Sequence, residues 1–277
     1  MLRRLSLALI LAPCLSTADP LTLQRVIQLH SELLGFGGLS AIEMQRPDSA
    51  IVLSDRGQAF ALSFDPETRI PSIARFPQPR PERDSEGLAY AAKRLFFSYE
   101  NPGEVVRQSG ISVQSHPDFE VLALNGALEA LAGTPDGTLY AIPERSLVEA
   151  EPFPIYRYLG GRWDITAHLP RNDPFRPVGA DVGPDRLLYV LERSFSPLGF
   201  RTQIRRIDLN TKPPQIETLL RTSLGTHDNL EGLAIWVSGS GATCLTMVSD
   251  NNFLSIQANE IVEYALTETL AGGATCE

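Results

Sequence analysis

The sequence predicts an all-β fold, a single β-propeller of five four-stranded antiparallel blades. Three observations carry that expectation. A short unit returns five times, and its closing acids Asp55, Glu100, Glu144, Glu192 and Asp250 fall about 44 to 58 residues apart, near the period of propeller blades. The second strand of each unit is apolar on both faces, as in Leu95-Phe96-Phe97 and Leu187-Leu188-Tyr189-Val190-Leu191. Such runs mark strands buried from both sides. No long stretch shows a 3.6-residue period, and prolines are scattered evenly, which excludes a helical repeat.

Taken in order, residues 1–18 read as a secretory signal peptide. Arg3 and Arg4 form a basic head, Leu5 to Leu15 an apolar core, and Ser16-Thr17-Ala18 a small-residue cleavage site. The core is too short to span a membrane as a helix. Leu11-Ala12-Pro13-Cys14 is close to a lipoprotein box, but Pro13 stands where a small residue is expected. The mature chain, 19–277, is then expected in the periplasm or outside the cell. Its first strand, Leu21 to His30, lies where the outermost strand of a preceding blade should be. The last unit runs out of strands after Glu260 to Leu266, so the N-terminal strand is expected to complete the C-terminal blade and close the ring.

Between these ends, Ala59 to Phe64 and Ile70 to Phe76 fill the first blade, Phe153 to Arg157 and Trp163 to His168 the third. Ile204 to Leu209 and Gln215 to Leu220 fill the fourth, across a turn at Lys212-Pro213-Pro214. A sixth blade is left open by the long insert of the last unit and by residues 146–178. Of the cysteines, Cys14 leaves with the signal. Cys244 and Cys276 can form a disulfide in an oxidising compartment or remain free.

A net charge of -9, more acidic once the signal is removed, argues against nucleic acid or an anionic membrane as partner. A closed ring brings the closing acids to one end of the channel, where the leading acids Glu86, Glu129, Asp181 and Glu231 can join them. Convergent carboxylates raise one another's pKa and call for a neutralising cation. Ca²⁺, which takes six to eight oxygens, suits Glu86, Glu100, Glu144, Glu192, Glu231 and Asp250, with Asn101, Asn125, Asn229, Asn251 and Asn252 as neutral donors. The bland alternative makes each acid a blade-closing acceptor of backbone N–H groups. Arg56, Arg145 and Arg193 each follow a closing acid and are candidate anion contacts, or partners of acids on adjacent blades. No Gly-x-Ser-x-Gly elbow is present, and His30, His116, His168 and His227 fall in no metal spacing. Catalytic residues are therefore unassigned, with Glu231 and Asp250 as weak candidates.

Asp84-Ser85-Glu86-Gly87-Leu88-Ala89, Asn229-Leu230-Glu231-Gly232-Leu233-Ala234 and Ser249-Asp250-Asn251-Asn252-Phe253 together resemble the phytase-like family described as having esterase-like activity of phytase. Gly38-Leu39-Ser40 and Ser54-Asp55-Arg56-Gly57 add to the likeness, which covers roughly 35–266. The resemblance implies an exported propeller acting on a phosphoester or ester. The Asp-Asp-Pro-Ala and Asn-Asn-x-Asp stretches of calcium-dependent propeller phytases are not in this sequence. The expectation is a monomeric, Ca²⁺-dependent hydrolase of a small-molecule phosphoester or ester. A propeller lactonase, or a non-catalytic propeller that binds a ligand or protein, are the alternatives.

Overall fold

The computed structural model describes residues 20–81, 83–122, 126 and 128–277. The signal segment with Cys14, and Asn125, lie outside them. Strand β1 (Leu21–Gln28) opens the chain. The first blade follows as β2 (Leu39–Arg46), β3 (Ser49–Ser54), β4 (Gln58–Phe64) and β5 (Pro71–Phe76). The second holds β6 (Ser85–Ala91), β7 (Arg94–Tyr99) and β8 (Glu104–Arg107), then the single-turn helix α1 (Pro117–Leu122). The third comprises β9 (Ala130–Gly133), β10 (Leu139–Ile142), β11 (Phe153–Leu159) and β12 (Arg162–Leu169). The fourth comprises β13 (Arg176–Val182), β14 (Leu188–Ser196), β15 (Gly199–Asp208) and β16 (Gln215–Arg221). The fifth comprises β17 (Leu230–Val237), β18 (Thr243–Ser249) and β19 (Glu260–Leu266).

Among the described residues these strands make five antiparallel sheets, four of four strands and one, β6-β7-β8, of three. In the second blade the place beyond β8 is taken by α1 and by a lone bridge between Val106 and Ser112. The chain is a five-bladed propeller. The N-terminal strand closes it: β1 pairs β19 from Leu21↔Leu266 to Gln28↔Glu260. That leaves no open edge at the seam. A disulfide joins Cys244 of β18 to Cys276 and ties the C-terminal segment to the same blade.

Alternation along the second strands supplies the core. Phe97 packs with the first blade's Ile51 and Leu53, whereas its neighbour Phe96 packs with the third blade's Leu131 and Tyr156. Leu188 and Val190 likewise face the third blade, and Tyr189 and Leu191 the fifth. One apolar cluster therefore fills each of the five seams between blades. Hydroxyls lace the seams at the channel. Ser40 Oγ donates to the Ser85 carbonyl at 2.7 Å, Ser85 Oγ to that of Ser54 at 2.8 Å, and Ser98 Oγ to that of Leu128 at 2.7 Å.

Five inner strands meet closely only if the belt where they touch is small. A Cβ on Gly232 would stand 2.8 Å from the Ala41 backbone, and one on Gly179 2.5 Å from the Glu231 carbonyl oxygen. Below the mouth the channel narrows to about 10 Å³, room for one water at most. Among the described residues this belt leaves little room for a ligand, and the wider space lies at the mouth.

Candidate functional site: the channel mouth

The mouth is built by a repeated irregularity. Strand register slips between Leu39 and Ala41, between Ser85 and Gly87, between Pro177 and Gly179, and between Leu230 and Gly232. A bulge of this kind re-aims one side chain. The bulged residues are Ser40, Glu86, Val178 and Glu231, and the third blade places Glu129 in the same position. These five form an inner ring around the channel.

The same registers define an outer ring. Leu39 faces Ser54, Ser85 faces Tyr99, Pro177 faces Glu192 and Leu230 faces Ser249. The residue after each partner turns to the mouth: Asp55, Glu100, Arg193 and Asp250, with Glu144 in the third blade. Glu192, expected among the metal ligands, is therefore one residue out of place. It is fully buried inside the fourth blade, held by Arg205 Nη2 at 2.6 Å and Gln203 Nε2 at 2.7 Å. Alignment by acid type led to Glu192; alignment by the alternation of Tyr189 and Leu191 would have led to Arg193.

Of the two readings open for Arg193, anion contact or partner of acids on adjacent blades, the structure matches the second. Its guanidinium donates to Glu144 at 3.1 Å, to Asn229 Oδ1 at 2.7 Å, and to Glu231 Oε1. Burial works against its charge, but Glu231, Glu144 and Glu129 outweigh that and hold its pKa above the ordinary value. It acts as an internal counterion. Arg56 is exposed at the rim with its guanidinium 3.5 Å from the centre of the Phe253 ring, a cation–π contact. Arg145 is exposed beside Glu144.

One arginine does not balance this mouth. Carboxylate oxygens of Asp84, Glu86 and Glu100 lie within 4.8 Å of one another. Glu86 and Glu129 act directly on each other, Glu129 being the neighbour whose charge weighs most on Glu86. Burial pushes both well above the ordinary carboxylate range, and the charges of Glu129 on Glu86, and of Glu144 and Glu231 on Glu129, push further. Burial raises Glu231 to about 7 against the pull of Arg193, and Asp55 to about 6 with help from Asp250. Asp250 also moves up through burial, although the Asn252 backbone N–H opposes it. Asn229 joins the rings, its Nδ2 donating to Glu231 Oε1 at 2.9 Å and to Asp250 Oδ2 at 3.3 Å. Asn251 Oδ1 accepts the Gly38 N–H at 2.9 Å and so fixes the rim instead of facing the acids.

Asp181, expected among the leading acids, lies two residues below the belt. Its Oδ2 accepts the Ile235 N–H at 2.6 Å, and burial raises it to about 7. Its partner there is Glu43 of β2, which sequence reasoning missed. Burial first, then the charge of Asp181, raises Glu43 well above the ordinary range. Glu43 carried no repeat signal, because only β2 and β13 place an acid at this depth. Asp84 and Glu129 stand in the quoted motifs, yet only the structure puts Asp84 against Glu86 and Glu100.

Fold and mouth together define a class: five-bladed propellers with an acid-rich, narrowing channel. The chain belongs to the Phytase-like family, described as esterase-like activity of phytase, whose model covers residues 34–253. No curated protein matches the chain. Among solved structures it is similar to a calcium-binding protein, regucalcin, from Agrobacterium tumefaciens. Identity there is 8%, over 82% of this chain and 90% of that one, at a TM-score of 0.47. It is also similar to glutaminyl cyclase from Myxococcus xanthus, with 12% identity over 88% of this chain and 95% of that one, at a TM-score of 0.49.

Proposed function

We propose that the mouth binds Ca²⁺ on Asp84, Glu86 and Glu100, with Glu129 beside them, and that the loaded mouth hydrolyses an ester or phosphoester. The observation that carries this reading is the approach of those three carboxylates to within 4.8 Å, beside buried acids whose charges raise one another. The donor set fits the ion: all-oxygen, anionic and partly desolvated. Bound there, Ca²⁺ supplies positive charge that polarises an ester or phosphoryl oxygen and acidifies a neighbouring water.

The remaining roles fall to the chain. Arg193 and Asn229 both bond Oε1 of Glu231, so Oε2 is the oxygen that exchanges protons. With its pKa raised to about 7, Glu231 can take a proton from water and return it near neutral pH. Hydrolysis forms a bond from the water oxygen to the acyl carbon or phosphorus and breaks the bond to the leaving alkoxide. One water proton passes to a carboxylate and then to that alkoxide. Arg56 and Arg145 are exposed at the rim, within reach of the acid product that hydrolysis releases. The narrow channel favours a small molecule over a polymer.

Export belongs to the same proposal, supported by the signal-like residues 1–18 and by the Cys244–Cys276 disulfide. Intact mass of protein from the periplasm should place the mature start at or near Asp19. Melting curves with chelator and with millimolar calcium, run beside turnover of p-nitrophenyl acetate and p-nitrophenyl phosphate, test the function. A calcium-dependent rise in melting temperature, lost in Glu86→Gln, is expected. A melting curve indifferent to both additions removes the metal and the hydrolase together, and leaves a propeller that only binds.

A further inference from the structure

A second concavity stands beside the mouth. Four of the second strands end at or before the residue that precedes the outer ring: β3 at Ser54, β7 at Tyr99, β10 at Ile142 and β18 at Ser249. Strand β14 alone runs past it. It carries Arg193 in the ring and then continues to Ser196, pairing Phe195 with Phe200 and Ser196 with Gly199. This raised hairpin forms one wall. The loop that follows Asp250, with Leu254 and Ile256, forms the other. Between them lies a groove of about 580 Å³, the size that holds one small organic molecule.

Its walls are apolar and exposed. Phe195 is 67% exposed, Leu254 50% and Ile256 89%, and the Phe195 and Phe200 rings lie 5.3 Å apart in a tilted pair. Its base is polar and rigid. His227 Nε2 is 2.8 Å from the Tyr264 hydroxyl, and Asp228 Oδ2 accepts the Ala258 N–H at 2.7 Å, which pins the loop. Asp228 and Glu260 line the groove, and no lysine or arginine does. The two walls follow Arg193 and Asp250 in the chain, which sets the groove beside the fourth and fifth blades' part of the mouth.

We propose that this groove seats the aromatic or acyl body of a small molecule, uncharged or cationic, whose ester group reaches the mouth. The ester half of the statement rests on the hydrolase reading above; the binding half does not. Three facts select this occupant. The volume suits a single small molecule. The walls suit an apolar body, with rings that can stack on it. Two carboxylates without a lysine or arginine disfavour a polyanion, so a carboxylic ester fits better than a multiply phosphorylated one.

Fluorescence titration with 1-naphthol, run beside hydrolysis of 1-naphthyl acetate, tests it. Phe195→Ser and Ile256→Ser change exposed side chains and should melt with the parent protein. Saturable one-to-one binding of 1-naphthol is expected, weakened about tenfold in each variant. The Michaelis constant for 1-naphthyl acetate should rise by a similar factor. Binding that is absent, or equal in the parent and both variants, overturns the proposal. So does a concentration-dependent dimer that Ile256→Ser abolishes, since a second copy would then cover the groove. If 1-naphthol binds as expected and neither calcium nor chelator changes hydrolysis or melting, the mouth reading fails and the groove stands alone.

Discussion

The fully buried acids of the blades and the acids of the mouth meet opposite treatment. Glu192 has Arg205 and Gln203 on its oxygens. Glu263 of β19 has Arg25 at 2.8 Å and Arg69 at 2.9 Å, which ties β1 and the first blade to the fifth. Around the mouth, Arg193 is shared between Glu144 and Glu231, the Gly126 N–H serves Glu100, and the charges of Glu86, Glu129 and Glu231 raise one another. Where a charge is structural, the fold supplies its counterion. Where acids crowd one another instead, the proposed cation is what would relieve them.

The sharpest way to break this comparison is to strip a blade acid of its partner. Arg205→Met leaves Glu192 buried and uncompensated, and should cost about 3–5 kcal/mol in urea unfolding. A loss under about 1 kcal/mol would mean that the blade pairs matter no more than surface ones. Next in size is the mouth's response to calcium. At a hundred times its dissociation constant, calcium should add about 2.7 kcal/mol, measurable as a shift in urea midpoint. Asp84→Asn and Glu86→Gln should lose that gain, and Arg145→Ala should keep it.

The deep pair gives a pH test read as the difference between the parent and Asp181→Asn, since Glu231 and Asp55 titrate in the same range. The folded pKa of Asp181, about 7, lies above the unfolded value, so the folded state binds the extra proton. Stability is therefore highest at low pH and falls as pH rises between the two values. Roughly 2 kcal/mol should be lost between about pH 5 and about pH 8, and Asp181→Asn should flatten the slope. The smallest effect is a gain. In chelator, Glu86→Gln should stabilise the protein by about 1 kcal/mol, because it removes a repelled charge and keeps a hydrogen-bonding side chain. Destabilisation instead would place Glu86 with the structural acids.

The fold was legible because burial on two faces leaves a mark in one strand. Leu95-Phe96-Phe97 can be read as serving two seams without knowing either neighbour. The N-terminal closure followed from counting strands in the last unit. Register was harder to read. The bulge at Val178 repeats that of the other blades, so the fourth blade is in step with them, and its acid Glu192 simply sits one position earlier, where Tyr99 and Ser249 stand elsewhere. Partners distant in sequence left no mark at all: Arg69 and Glu263 are 194 residues apart, and Glu43 meets Asp181 only because β2 and β13 share one channel. Motifs named the acids of the mouth, and tertiary geometry decided which of them face one another.

Closure by β1 also sets a timetable. The ring needs Leu21 and Leu266 side by side, so the first strand waits unpaired until almost the whole chain exists. Glu231 and Asp250, which complete the mouth, arrive in that last blade. A chain cut before the fifth blade keeps at most three of the five seams, and it has no enclosed mouth and no seat for Arg193 against Glu231. The proposed cation site would thus exist only in the finished ring, and a calcium-dependent melting shift would report that a given molecule was made to its end.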